Sequence, residues 1–341
     1  MKQKATTIKD IADRLGLSKT AVSFALNGSP MVSEKTRKKV ERAARAMGYA
    51  KNGLVSSMMS SIKRGGVGKF TETIALINGN VDERALREHP TLPKYCEGIR
   101  AEAERLGYTI NEFWLHDPRL TGEIFERALI SRGIRGGIIL GHSFGTVFPK
   151  SFDCVWKRFY FVSAGIKTRE PKLEMVSADH YAITYESVMR LAALGCKRVG
   201  IVLGAHIDEL VDGRLVAGFL RAQMKIAPRR PVPPFMLEQS DPLYAQKLFA
   251  WLDEYSPDAV LYLLNSTREI LQSRPAKSGR KCRLVQLEKR GFLKNWSGME
   301  QNNDIVGRIA LRRLADMLNR TSSVVGENAN LVTLVPPTWL G

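Results

Sequence analysis

Lys19, Thr20, Ser23 and Phe24 are spaced so that, at 100° per residue on a helix, they share an arc of roughly 0° to 140°. Ala21, Val22, Ala25 and Leu26 occupy the complementary arc. One face of this short stretch is therefore apolar, and the other carries a cation, two hydroxyls and an aromatic ring. Such a set can hydrogen-bond to base edges in a DNA major groove and touch thymine methyl groups. Phe24 has two readings: it covers a small core, or it offers its ring to those methyl groups. No comparable set for catalysis is present. The chain has no G-x-S-x-G, no G-x-x-x-x-G-K-[ST] and no H-E-x-x-H, and His89, His116, His142, His180 and His206 are dispersed. Cys96, Cys154, Cys196 and Cys282 form neither a C-x-x-C pair nor a zinc-ligand set with His, and they read as core thiols. No enzyme activity, metal or cofactor is expected.

These side chains need rigid elements to aim them. Thr7 can cap a helix whose Ile8, Ile11, Ala12 and Leu15 fall at i, i+3, i+4 and i+7, and Gly16 provides a left-handed stop. Ser18 can cap a second helix from Lys19 to about Asn27, with Gly28 and Pro30 as breakers. Two helices across a turn this short make a helix-turn-helix. A third helix runs from Ser33 to Gly48 and buries Val40, Ala43, Ala44 and Met47. Lys35, Arg37, Lys38, Lys39, Arg42 and Arg45 lie on its other faces, as a solvated surface or as cations near phosphates.

Charge follows the same division. The chain of 341 residues has a formal charge of +18, and residues 1–69 hold 15 Lys and Arg against four acids, a balance of +11. Positive charge so concentrated points to a polyanionic partner. No apolar run approaches the roughly 20 residues that span a bilayer, so no membrane association is expected. A basic, polar start without an apolar stretch behind it fits a reducing cytoplasm, at the nucleoid.

The stretch from Ile8 through Tyr49, IKDIADRLGLSKTAVSFALNGSPMVSEKTRKKVERAARAMGY, resembles the headpiece of the LacI/GalR (lac repressor) family almost position for position. The resemblance implies base reading by Lys19, Thr20, Ser23 and Phe24. It implies phosphate contacts by Thr7, Ser18, Ser33 and Thr36, with Asn27 positioning the headpiece. Most members carry Arg at the position of Phe24, so the operator should differ there. The family continues with a hinge helix in the minor groove, matched here by residues 50–59. Asn52, Leu54 and Met58 are its minor-groove candidates, with Met58 at the wedge position. Lys51 replaces the usual Pro, and Gly53, Ser56, Ser57 and Ser60 weaken helix propensity. The segment is either a hinge that folds on DNA or a plain linker.

From Thr73 onward, short β-rich runs alternate with helical patterns, which indicates parallel sheets covered by helices. Expected strands are 73–78, 108–114, 136–141, 159–163, 198–203, 259–264 and 283–287. The pattern resembles the periplasmic-binding-protein-like core of the same family, with matches at Ser177-Ala178-Asp179-His180, at Leu194 through Gly200 and at Arg214 before Ala217-Gly218-Phe219. The fold class is thus an all-α helix-turn-helix headpiece followed by an α/β core of two Rossmann-like lobes. The expected division is a headpiece over 5–51, a hinge helix over 52–62, a linker over 63–72 and a core over 73–341. Within the core, the N-lobe takes about 73–165 and 303–325, and the C-lobe about 166–302 and 326–341.

The resemblance further implies a homodimer, or a tetramer built from it, on a palindromic double-stranded operator. A small-molecule effector, a sugar or another metabolite, would occupy the cleft between the lobes. Asp179, Arg214, Asn265 and Glu288 are the effector candidates, each with an alternative as a surface or helix-capping group. The family's aromatic pair and its Asn-Asp and Gly-Phe-Asp-Asp stretches are absent, and Arg214 is offset by one residue, so a sugar cannot be assumed. The function expected is a sequence-specific transcription regulator, a repressor above all. The alternative is a small-molecule sensor or binding protein without specific operator binding.

Overall fold

The computed structural model describes residues 8–26, 32–47, 72–141, 146–274, 282–288, 297–319 and 331–341. The headpiece and the core are separate compact units. In the headpiece, α1 (Ile8–Leu15), α2 (Lys19–Leu26) and α3 (Glu34–Ala46) follow the apolar periodicity of the sequence. Ile11, Ala12, Val22, Ala25, Val40 and Ala44 are buried in one cluster, and Ile8, Leu15, Leu17, Ala43 and Met47 pack against it. So small a core depends on each member, because a buried aliphatic side chain contributes only about 1.5–3 kcal/mol.

Among the described residues the core is built on two six-stranded sheets. The first contains β1 (Glu72–Asn78), β2 (Tyr108–Trp114), β3 (Gly136–Leu140), β4 (Tyr160–Ala164), β5 (Glu174–Ala178) and β11 (Val332–Val335), in the order β11-β5-β4-β3-β1-β2. All its pairings are parallel. The second contains β6 (Val199–Leu203), β7 (Phe235–Met236), β8 (Ala259–Tyr262), β9 (Arg283–Gln286), β10 (Ser297–Glu300) and β12 (Thr338–Leu340), in the order β12-β10-β9-β8-β6-β7. Among its described strands only β12 runs antiparallel to its neighbour. Central strands such as Val199–Leu203 are buried along their whole length, as expected when helices cover both faces of a parallel sheet.

The helices that matter for the site are α4 (Leu92–Leu106), α7 (His180–Ala193), α8 (Ala205–Leu210), α9 (Arg214–Ile226), α10 (Tyr244–Tyr255), α11 (Asn265–Ser273) and α12 (Asn303–Asn319). Those between α4 and α7 are α5 (Gly122–Ser131) and α6 (Asp153–Arg158). The chain passes between lobes three times, after Ala178, after Glu300 and after Val335. In the first lobe α4 crosses α12 so closely that a Cβ on Gly98 would come within 1.8 Å of the Asp304 carbonyl oxygen. Glycine is required there by backbone approach, not by its dihedral freedom.

The lobe boundaries expected from sequence need correction. The sequence pattern places 166–178 and 331–335 in the second lobe, yet β5 and β11 belong to the first sheet. Polar residues hide β5: buried Glu174 pairs with Arg313 of α12, and Ser177 donates its hydroxyl to the Gly165 carbonyl at 2.6 Å. The cysteine expectation is half right, since Cys96 and Cys196 are buried whereas Cys154 and Cys282 are exposed. The hinge expected over 52–62 and residues 63–71 of the linker expected over 63–72 fall outside the described residues, and Glu72 already belongs to β1.

Candidate nucleic-acid interface and core pockets

In the headpiece, Ser18 and Ser33 sit where two helices begin. The Ser18 hydroxyl accepts from the Ala21 N–H at 3.1 Å, and Ser33 accepts from the Thr36 N–H at 3.3 Å while its hydroxyl shares a 2.9 Å hydrogen bond with that of Thr36. These side chains cap α2 and α3 and thereby fix where each helix starts. Lys19 and Thr20 are exposed, Ser23 and Phe24 are half-buried, and Val22 and Ala25 behind them are fully buried. The four expected base readers therefore share one helix, carried by a buried back face. Half-burial of Phe24 leaves part of its ring covering the headpiece and part available. Thr7, Asn27, Asn52, Leu54 and Met58 lie outside the described residues.

In the core, the four effector candidates divide. Asp179 caps α7, its carboxylate accepting from the Ala182 N–H at 3.1 Å. Asn265 accepts a 2.8 Å hydrogen bond from Gln286, which ties the start of α11 to the end of β9. Both side chains are thus engaged in holding elements together.

Arg214 and Glu288 stand where the lobes meet. Arg214 lines a narrow space with Ser177 and Lys167 of the first lobe and His180 and Asp212 of the second, and Lys167 pairs with Asp212 at 3.2 Å. Burial and the Arg214 charge push His180 down to about 4, against the opposing pull of Asp179. Glu288 is buried and accepts from Asn303 at 3.2 Å, and burial with this carboxylate nearby raises the Tyr95 phenol. Arg214 shares its space with His180 and Gly165, and Glu288 neighbours Asn303 and Tyr95.

A roomier pocket, about 270 Å³, opens at the carboxyl ends of β6 and β8, where the strand order of the second sheet reverses. Ligands of open α/β sheets bind at such reversals. His206 there pairs with Glu238, Gln239 donates to Thr267 at 2.7 Å, and Ser266 donates to Gln239 at 2.8 Å. The Tyr244 hydroxyl joins Thr267 at 3.4 Å, and Leu203, Ile207 and Leu263 supply apolar walls. A carboxylate, an amide, hydroxyls and apolar walls suit a small polar ligand. Sequence reasoning missed these residues. The strand that places Glu238 and Gln239 has two residues, too few to register as an element.

Among the described residues no group of His, Cys, Asp and Glu could hold a metal ion, and no helix is long and apolar enough to cross a membrane.

A helix-turn-helix headpiece followed by two parallel α/β lobes defines a class of DNA-binding protein. Residues 7–52 match the family described as bacterial regulatory proteins, lacI family. The chain is 24% identical over 214 residues to the HTH-type transcriptional regulator MalR of Streptococcus pneumoniae, covering 61% of this chain and 60% of that one. It is 27% identical over 220 residues to the HTH-type transcriptional repressor CytR of Escherichia coli, covering 64% and 60%. The chain thus spans about 60% of the length of these curated relatives. Among solved structures, the transcriptional regulator CelR-cellobiose complex matches with a TM-score of 0.57 at 17% identity, covering 98% of both chains. The lac repressor bound to ONPG in the repressed state matches with a TM-score of 0.55 at 18% identity, covering 99% of both. Residues 7–52 thus match a lacI-family DNA-binding domain, and the core has the fold of lac repressor.

Proposed function

We propose that this protein is a cytoplasmic repressor that binds a palindromic operator as a dimer, and that a small molecule held by the core controls this binding. The observation that carries the reading is the exposed Lys19-Thr20 pair, with Ser23 and Phe24 beside it, on a helix whose opposite face is buried in the headpiece core. Such a helix can lie in a major groove while serine-capped helix starts approach the phosphates. In this reading Asn52, Leu54 and Met58 enter the minor groove at the operator centre, and Thr7 and Asn27 complete the phosphate contacts.

For effector control, the pocket at the β6/β8 reversal and the Arg214–His180 space are the candidate seats. The relatives named above include a structure solved with cellobiose, which supports a sugar or similarly polar metabolite. A ligand bridging the lobes would alter their spacing and so bias the DNA-binding form by its differential affinity for two arrangements.

The reading is tested by selecting binding sites from a random DNA pool with the full chain at near-physiological salt, using Met58→Ala alongside. A palindrome with half-sites about one helical turn apart, bound more weakly by Met58→Ala, is expected. Salt-sensitive binding without any consensus favours the second reading, a sensor that has lost operator specificity.

A further inference from the structure

The headpiece presents a second cationic surface that none of its base-reading residues uses. Arg14 of α1 and Lys35, Lys38, Lys39 and Arg42 of α3 line a groove of about 560 Å³, with Leu15 and Ala43 as half-buried apolar members. The four cations of α3 recur at i, i+3, i+4 and i+7, which stacks them along one side of the helix over about 10 Å. Among the described residues no acidic side chain lines the groove. Lys38 makes an exposed pair with Glu34 at 3.0 Å, of the kind that adds little stability. Among the described residues Arg14, Lys35, Lys39 and Arg42 have no ion pair or hydrogen-bond partner through their side chains. Like charges one helical turn apart repel, so the stripe disfavours the free protein and favours a bound polyanion.

Its position matters as much as its charge. The three helices pack on one another around Ile11, Val22 and Val40, and the groove is formed by α1 and α3 without any residue of α2. It therefore opens across the core from α2, whose free arc carries Lys19 and Thr20.

We propose that the α1/α3 groove is a sequence-blind seat for the phosphate backbone of a second DNA duplex, so that one headpiece can hold two DNA segments together. The idea rests on the DNA-binding reading above but concerns the opposite face of the domain. It also gives the excess charge of the N-terminal region a use beyond one duplex.

The test uses the full chain saturated on a bead-bound duplex recovered from the random pool, to which a labelled duplex of unrelated sequence is added at low salt. Wild type is compared with the variant Lys35→Gln/Lys39→Gln/Arg42→Gln, whose folding is checked by its helical circular dichroism. The variant should keep the selected consensus, capture the second duplex at least tenfold less well, and lose about three from the salt slope of that capture. Unchanged capture would show that a second reading face, as in a tetramer, holds the added DNA, and would overturn the proposal. So would a matching loss of affinity for the bead-bound duplex, which would put the groove on the same DNA as α2. If no consensus emerges, the operator reading fails by itself, and capture is still measurable on a bead-bound duplex of any sequence.

Discussion

The headpiece and the core hold their candidate binding residues in different ways. In the headpiece, Lys19, Thr20, Ser23 and Phe24 lie within six consecutive residues, and one helix with one buried face orients all of them. In the core, His206 reaches Glu238 across 32 residues and Gln239 reaches Thr267 across 28, each pair joined only because parallel strands end side by side. A site written on one helix survives changes elsewhere in the chain. A site assembled from strand ends moves with every crossover that positions it, so relatives can keep the fold while exchanging the ligand.

The sharpest way to break this contrast is to damage each region separately. Gly98→Val pushes a side chain into the Asp304 carbonyl where α4 crosses α12. A loss of about 3 kcal/mol or more is expected in core stability, read by thermal unfolding, with headpiece helicity retained in the soluble fraction. Ile11→Ala removes a fully buried side chain from the six-residue headpiece core. It should cost about 2–5 kcal/mol and abolish DNA binding, while the main calorimetric transition of the core stays in place. Coupled losses in either variant would mean that the two regions do not behave as separate units.

Smaller changes sharpen the contrast. Phe24→Arg restores a guanidinium on the reading face, so selection should recover guanine at one position per half-site, with discrimination of about 1–3 kcal/mol and no change in core stability. In the core, His180 is held at about 4 against an ordinary 6.5, so its neutral form is the one the fold favours. Its contribution is complete above pH 6.5 and is lost as pH falls from 6.5 through 4, because the unfolded chain takes up the proton first. His180→Gln should flatten that part of the stability profile, measured by urea unfolding across the range, and leave DNA affinity at neutral pH unaltered.

How much of this was legible in the sequence follows the same line. The headpiece helices are local: caps at Ser18 and Ser33 and apolar spacing from Ile8 to Met47 depend on neighbours within a turn or two, and all three helices appear where expected. Seven core strands were legible too, since Thr73–Asn78 and Val199–Leu203 are apolar runs of strand length. The failures involve distant partners. Glu174 reads as polar until Arg313 of α12 neutralises it in the core, and a pattern that omits β5 ends the first lobe too soon. Asp179 caps α7 at the Ala182 amide, a reading the sequence also offers, whereas the Gln286 that binds Asn265 lies 21 residues further along the chain. Periodicity carries no trace of the distant partnerships.

The central claim is that the α2 face reads sequence. The most direct measurement is the ratio of affinities for the pool-selected duplex and a scrambled one, at fixed salt, for the full chain and for Lys19→Ala/Thr20→Ala. The account predicts a ratio of at least about 10³ for the full chain, falling close to one in the variant while the core's unfolding transition is unchanged. A variant that still prefers the selected duplex as strongly as wild type would contradict it.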